Sequence, residues 1–138
     1  MNIIITGGSS GLGKALVEAC AASGKHQVLF TYCRHEDEAQ ALAGRFANVT
    51  AVQVDFSDEA SVTHFAEMIA EKPVDVLINN AGVGDYGRFV DIPWQKERDL
   101  AGLNMIALMQ MMQLYAADME KRGDGKILNL SSIAAFNG

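Results

Sequence analysis

The stretch Thr6-Gly7-Gly8-Ser9-Ser10-Gly11-Leu12-Gly13 decides how this chain folds. It lies between an apolar, strand-like run, Asn2–Thr6, and a segment, Gly11–Ser23, in which Leu12, Ala15, Leu16, Ala19 and Cys20 recur at helical spacing. The three glycines at 7, 11 and 13 answer different needs of a strand-to-helix turn. Gly7 lets the strand turn sharply, Gly11 leaves its backbone open to a pyrophosphate, and Gly13 lets the helix pack closely on the sheet. Ser9, Ser10 and Leu12 fill the places between them, and the unpaired N–H groups of the helix start face incoming phosphates. Three glycines so spaced exceed what a flexible turn needs. A rival reading overlaps this one. Gly8-x4-Gly13-Lys14 follows most of a P-loop, and Asp55, after an apolar run, could pose as a second magnesium-binding residue of a nucleoside triphosphatase. That match fails at Ala15, where Ser or Thr must reach the metal.

Outward from this loop the chain alternates strand-like and helix-like segments. Gly24 stops the first helix, and Gln27–Tyr32 reads as a strand. A polar-faced helix over Glu36–Phe46 and a strand over Val49–Val54 follow. Asp58 is placed to cap a helix with Val62, Phe65, Ala66 and Ile69 on one stripe, which Pro73 breaks. Val74–Ile78 reads as a fourth strand, followed by a loop holding Gly82, Gly84 and Gly87. A long helix is predicted from about Trp94 to Lys121, then a Gly123-Asp124-Gly125 turn and a fifth strand, Lys126–Leu130. Such alternation predicts β-α-β units, a parallel sheet and helices on both faces, in one domain over residues 1–138.

Composition narrows the function classes. The 138 residues are 49% apolar and 20% charged, enough for a packed core. A net charge of −6 gives no basic surface for nucleic acid. No unbroken apolar run approaches the roughly 18 residues of a membrane span, and Met1 leads straight into the first strand without a signal-peptide pattern. Cys20 and Cys33 are too few for a disulfide framework and read as reduced thiols of a cytoplasmic protein. His26, His35 and His64 share no metal-ligand spacing and are expected at the surface.

Several marks in order resemble the short-chain dehydrogenase/reductase family. They are Gly7-x3-Gly11-x-Gly13, Asp55-Phe56-Ser57-Asp58 after the third strand, Asn79-Asn80-Ala81-Gly82 at the end of the fourth, Asn104 in the long helix, and Asn129-Leu130-Ser131-Ser132 at the fifth. The resemblance implies a Rossmann-type, doubly wound α/β fold with sheet order 3-2-1-4-5 and four main helices, cut short of the full family length. It implies hydride transfer between a nicotinamide dinucleotide and a small carbonyl or alcohol substrate. Asp55 matches the family's adenine contact, and Asn80, Ala81 and Gly82, with Phe56, border the cofactor. Ser132 matches the serine that bonds the substrate oxygen, with Ser131 the weaker candidate. Asn104 matches the asparagine that orders a proton-relay water. The family's acid/base tyrosine and its lysine four residues later have no counterpart: Tyr32, Tyr86 and Tyr115 are followed at that distance by Glu36, Val90 and Met119. The expectation is a fragment of a longer reductase that is catalytically incomplete as it stands. The alternative is a non-catalytic dinucleotide-binding or sensor module.

The end of the second strand selects the cofactor. Rossmann domains that prefer NAD place an acid there, about 20 residues past the glycines. Here the chain reads Thr31-Tyr32-Cys33-Arg34-His35, and Arg34 is placed to fork onto a 2′-phosphate. NADP(H) is therefore expected in preference to NAD(H). Glu36, Asp37 and Glu38 belong to the first turn of the next helix, where acids suit its dipole. Met105, Ile106, Leu108, Met109, Met111, Met112 and Leu114 make the long helix apolar nearly all round. It is expected to be buried on more than one side, in the core or in a homo-oligomer contact.

Overall fold

The structure is a computed structural model that describes residues 1–70 and 72–132, so the expected domain reaches beyond the described residues. Its strands are β1 (Asn2–Ile5), β2 (Gln27–Tyr32), β3 (Val49–Gln53), β4 (Val76–Asn79) and β5 (Lys126–Asn129). They form one parallel sheet in the order β3-β2-β1-β4-β5, as the family resemblance implies. Register is set at the centre, where Ile3 pairs with Val28 on one side and Val76 on the other.

Ile3, Ile4 and Ile5 are all buried because the sheet is covered on both faces. Side chains alternate along a strand, so Ile3 and Ile5 enter one core and Ile4 the other. The first core is closed by Val17 and Ala21 of α1 (Gly11–Ala21) and by Ala39 and Leu42 of α2 (Glu36–Ala43). The second is closed by Phe65 and Ile69 of α3 (Glu59–Ile69) and by Met111, Tyr115 and Met119 from the long helix. Asp58 caps α3 as expected, its carboxylate accepting from the Ala60 N–H at 3.2 Å and the Ser61 N–H at 3.3 Å.

Several expectations change. Helices α1 and α2 stop at Ala21 and Ala43, short of the expected ends at Ser23 and Phe46, and α3 ends at Ile69, before Pro73. The long helix is continuous over Trp94–Arg122 but not regular. It comprises α4 (Trp94–Ala101), a π-helical turn (Gly102–Ala107) and α5 (Leu108–Arg122), ending on Gly123 at φ +70°. Counted as one, it makes four main helices. By length and composition it is also apolar enough to cross a bilayer, which a search for unbroken apolar runs misses. Here, however, it packs on the sheet through Met111, Tyr115 and Met119. Within this chain the helix is buried on one side only: Met105 and Met109 are 59% and 60% exposed, on the side where a homo-oligomer contact was the other expectation. Finally, His26 is half-buried rather than fully at the surface.

Candidate active site

A doubly wound sheet opens a crevice where its strand order reverses. That point lies between β1 and β4, and a cleft of about 550 Å3 occupies the carboxyl ends of the strands there. The glycine loop supplies Gly7, Ser9, Ser10, Leu12 and Gly13 to its wall. The end of β2 adds Thr31 through His35, including Arg34, and the chain after β3 adds Asp55, Phe56 and Ser57. Asn80 to Val83 follow β4, and Asp99 and Leu103 close the cleft from the long helix.

The loop is held by side chains whose role is invisible in the glycine pattern. The Thr6 hydroxyl accepts from the N–H groups of Asn80 at 3.0 Å and Ala81 at 2.9 Å. Asn80 answers with Nδ2, which donates to the carbonyls of Thr6 at 2.9 Å and Gly7 at 2.8 Å. From β2, the Thr31 hydroxyl accepts from the Gly7 N–H at 3.1 Å, and its carbonyl accepts from the Gly8 N–H at 2.8 Å. Thr6 and Thr31 are buried polar residues at the ends of apolar strands, which is the signal that could have marked them.

Close approach explains the glycines more fully than turn geometry. Gly7 has φ +68°, and a Cβ on it would stand 2.9 Å from the Ala81 Cα. A Cβ on Gly8 would fall 2.6 Å from that of Phe30, a constraint the spacing did not reveal. At Gly13 a Cβ would strike the Gly7 carbonyl oxygen and the Asn80 amide, so this glycine packs against the chain just past the ends of β1 and β4. Gly11 differs: it has φ +52°, nothing lies within 4 Å of its missing Cβ, and it is the one expected cofactor residue that does not line the cleft.

At the other end of the cleft, Asp55 Oδ1 accepts from the Ser57 hydroxyl at 2.6 Å and its N–H at 2.9 Å. These bonds, with the nearby Arg34 charge adding less, hold the carboxyl below its ordinary range. Arg34 and His35 stand exposed on the wall. Asn104, in the π-helical turn, sits behind the wall. Its Oδ1 accepts from the Val83 N–H at 2.9 Å and its Nδ2 donates to the Val83 carbonyl at 2.8 Å. Ser131 and Ser132 follow β5, are exposed, and do not line the cleft.

A family model described as short chain dehydrogenase matches residues 1–138. The chain belongs to the short-chain dehydrogenase family. It is 35% identical over 141 residues to the 7alpha-hydroxysteroid dehydrogenase of Escherichia coli (strain K12), with 97% of this chain and 54% of that protein aligned. It is 29% identical over 137 residues to the 2-dehydro-3-deoxy-D-gluconate 5-dehydrogenase of Bacillus subtilis (strain 168), covering 98% of this chain and 54% of that one. A solved short-chain dehydrogenase from Sphingobium yanoikuyae, in complex with NADPH, superposes with a TM-score of 0.91 at 30% identity. That superposition covers 98% of this chain and 55% of that one. The chain thus spans about half the length of the curated short-chain dehydrogenases it matches. Membership in this family leaves the P-loop-like run Gly8-x4-Gly13-Lys14 as an incidental overlap of the glycine loop.

Proposed function

We propose that this chain is the NADP(H)-binding part of a reductase that interconverts a carbonyl and an alcohol. The observation that carries the reading is the cleft at the β1/β4 switch point, which gathers the glycine loop, Asp55 and Arg34. The residues fit a dinucleotide. Open space at Gly11 and the uncapped start of α1 leave backbone N–H groups for a pyrophosphate. The cleft is large enough to bury an adenosine moiety, and Arg34 supplies a fork of donors for a 2′-phosphate. When bound, the nicotinamide supplies or accepts a hydride.

The chain's own residues then orient and polarise. Ser132 donates to the substrate oxygen. Asn104 fixes Val83 at the cleft edge and, in the family's manner, orders the relay water. Proton delivery lacks a suitable phenol among the described residues. Tyr115 is buried, which pushes its pKa further above the ordinary tyrosine range, Tyr32 is buried, and Tyr86 is 97% exposed on a loop. The 138-residue chain therefore binds cofactor without turning over substrate.

Titration of the chain with NADPH and NADH tests the cofactor assignment. Arg34→Ala is expected to weaken NADPH by about 10- to 100-fold, the worth of a charged hydrogen bond, and NADH far less. Equal losses remove Arg34 from the 2′-phosphate role, and tighter binding of NADH by the unmutated chain overturns the NADP(H) reading.

A further inference from the structure

A second, much smaller cavity of about 10 Å3 lies beside the cleft, where the ends of β1 and β4 meet the long helix. Thr6 and Asn79 supply its polar wall, and Leu103 and Ala107 of the π-helical turn, with Met111, supply part of the apolar one. Both polar residues are over nine-tenths buried, Thr6 at 3% exposure and Asn79 at 4%. Their hydrogen-bonding needs are complementary. Asn79 donates through Nδ2 to Asn129 Oδ1 at 2.8 Å, but its own Oδ1 is buried and receives no bond from any described residue. The Thr6 hydroxyl already accepts from the Asn80 and Ala81 N–H groups. A threonine hydroxyl has two acceptor positions and one proton, so what remains is a donor. One side of the cavity thus offers a hydrogen and the other needs one, and the two groups do not bond each other directly.

Buried polar groups separated in this way are met by water, and one water needs about 10–15 Å3 and at least two polar partners. We propose that this cavity is a binding site for one ordered water, which accepts from the Thr6 hydroxyl and donates to Asn79 Oδ1. The sense of the Asn79 amide follows from Asn129, whose Nδ2 lies 3.3 Å from Met112 Sδ and leaves Oδ1 to receive the Asn79 donor. The water joins the residue that precedes the glycine loop to the residue that precedes Asn80, against the π-helical turn that carries Asn104. It therefore couples three elements that border the cleft, whatever the cleft binds.

A crystal structure of the chain at a resolution that shows ordered solvent tests this. One water peak within hydrogen-bond distance of both Thr6 Oγ1 and Asn79 Oδ1 is the expected result. A dry cavity, or a direct bond between the two side chains, overturns it. Asn79→Leu, which keeps the volume and removes the oxygen, is expected to lose the peak, whereas Thr6→Ser keeps it; a peak that survives Asn79→Leu refutes Asn79 as the anchor. In solution, cross-relaxation from a long-lived water to the Ala107 and Met111 methyl groups of the unmutated chain is expected, and its absence refutes the site without any variant. Cofactor binding enters none of these readouts, so the water site and the NADP(H) reading fail separately.

Discussion

β2 and β5 are strands of similar texture with opposite surroundings. In β2, Val28, Phe30, Thr31 and Tyr32 are all buried. In β5 no residue is, and Leu128 is 51% exposed. Both pair in parallel with a neighbour, β2 with β1 and β3, β5 with β4. The difference is cover: α1 and α2 pack over β2, whereas among the described residues β5 has a strand on one side only. Apolar texture therefore reports that a segment becomes a strand, while burial depends on what else lies against it. The long helix repeats the contrast over two residues, since Met111 is 1% exposed and Met109 is 60% exposed.

The sharpest way to break this comparison is inside the glycine loop, where one glycine is crowded and another is open. Gly13→Val drives a side chain into the Gly7 carbonyl and Asn80, and is expected to destabilise by about 3 kcal/mol and to abolish dinucleotide binding. Gly11→Val meets open space and has only its positive φ to overcome, so about 1–2 kcal/mol is expected, with binding still weakened. Thermal melts with NADPH titration separate the two. Equal destabilisation at both positions would show that close packing is not what selects Gly13.

Met111→Ala and Met109→Ala carry the same test to the helix. Removing the buried side chain is expected to cost about 2–5 kcal/mol in denaturant unfolding, with the exposed one within about 0.5 kcal/mol of zero. If copies of the chain associate through the exposed Met105 and Met109 face, Met109→Ser lowers the mass seen by light scattering and leaves the unfolding midpoint of the dilute protein unchanged.

The parallel sheet was legible because strands alternating with helices form crossover units, its order followed from the family resemblance, and the expected cofactor residues other than Gly11 do meet in one cleft. What stayed hidden depends on contacts between distant segments. Thr6 and Thr31 look like ordinary strand ends until β4 and β2 bring their partners to the loop. Gly8 looks like a spacer until Phe30 lies against it. The π-helical turn at Asn104 left no mark because a helix apolar nearly all round has no polar face to register a change of pitch.

A gentler contrast sets the two capped and uncapped helix starts against each other. Asp58 accepts two N–H groups of α3, and Asp58→Ala is expected to cost about 1 kcal/mol. Ser10 stands in the same place before α1 and makes no side-chain cap bond, so Ser10→Ala should leave unfolding within about 0.5 kcal/mol of the unmutated chain. A loss at Ser10 as large as that at Asp58 would mean that its hydroxyl does cap the helix, and that the N–H groups read as open to phosphate are already engaged.

The smallest expected effect belongs to Asp55, which lines the cleft. Its carboxyl is held below its ordinary range first by the Ser57 hydroxyl, then by the Ser57 N–H, with Arg34 adding a minor attraction. A carboxyl whose pKa is lower in the folded chain than in the unfolded one binds fewer protons when folded. Its contribution is therefore fully present above the unfolded value, about 3.9, and is lost as pH falls through the lower folded value. Asp55→Asn keeps an oxygen for Ser57 to bond and removes the charge, which isolates that contribution. The unmutated chain should melt slightly above the variant at pH 7, and the gap should close as the pH is taken below the ordinary aspartate range. Exposure to solvent and salt keeps the gap small, and added salt should narrow the part that Arg34 supplies. A gap that stays constant with pH would mean that the amide disturbs the Ser57 contacts by its shape, and that the charge on Asp55 does nothing for the fold.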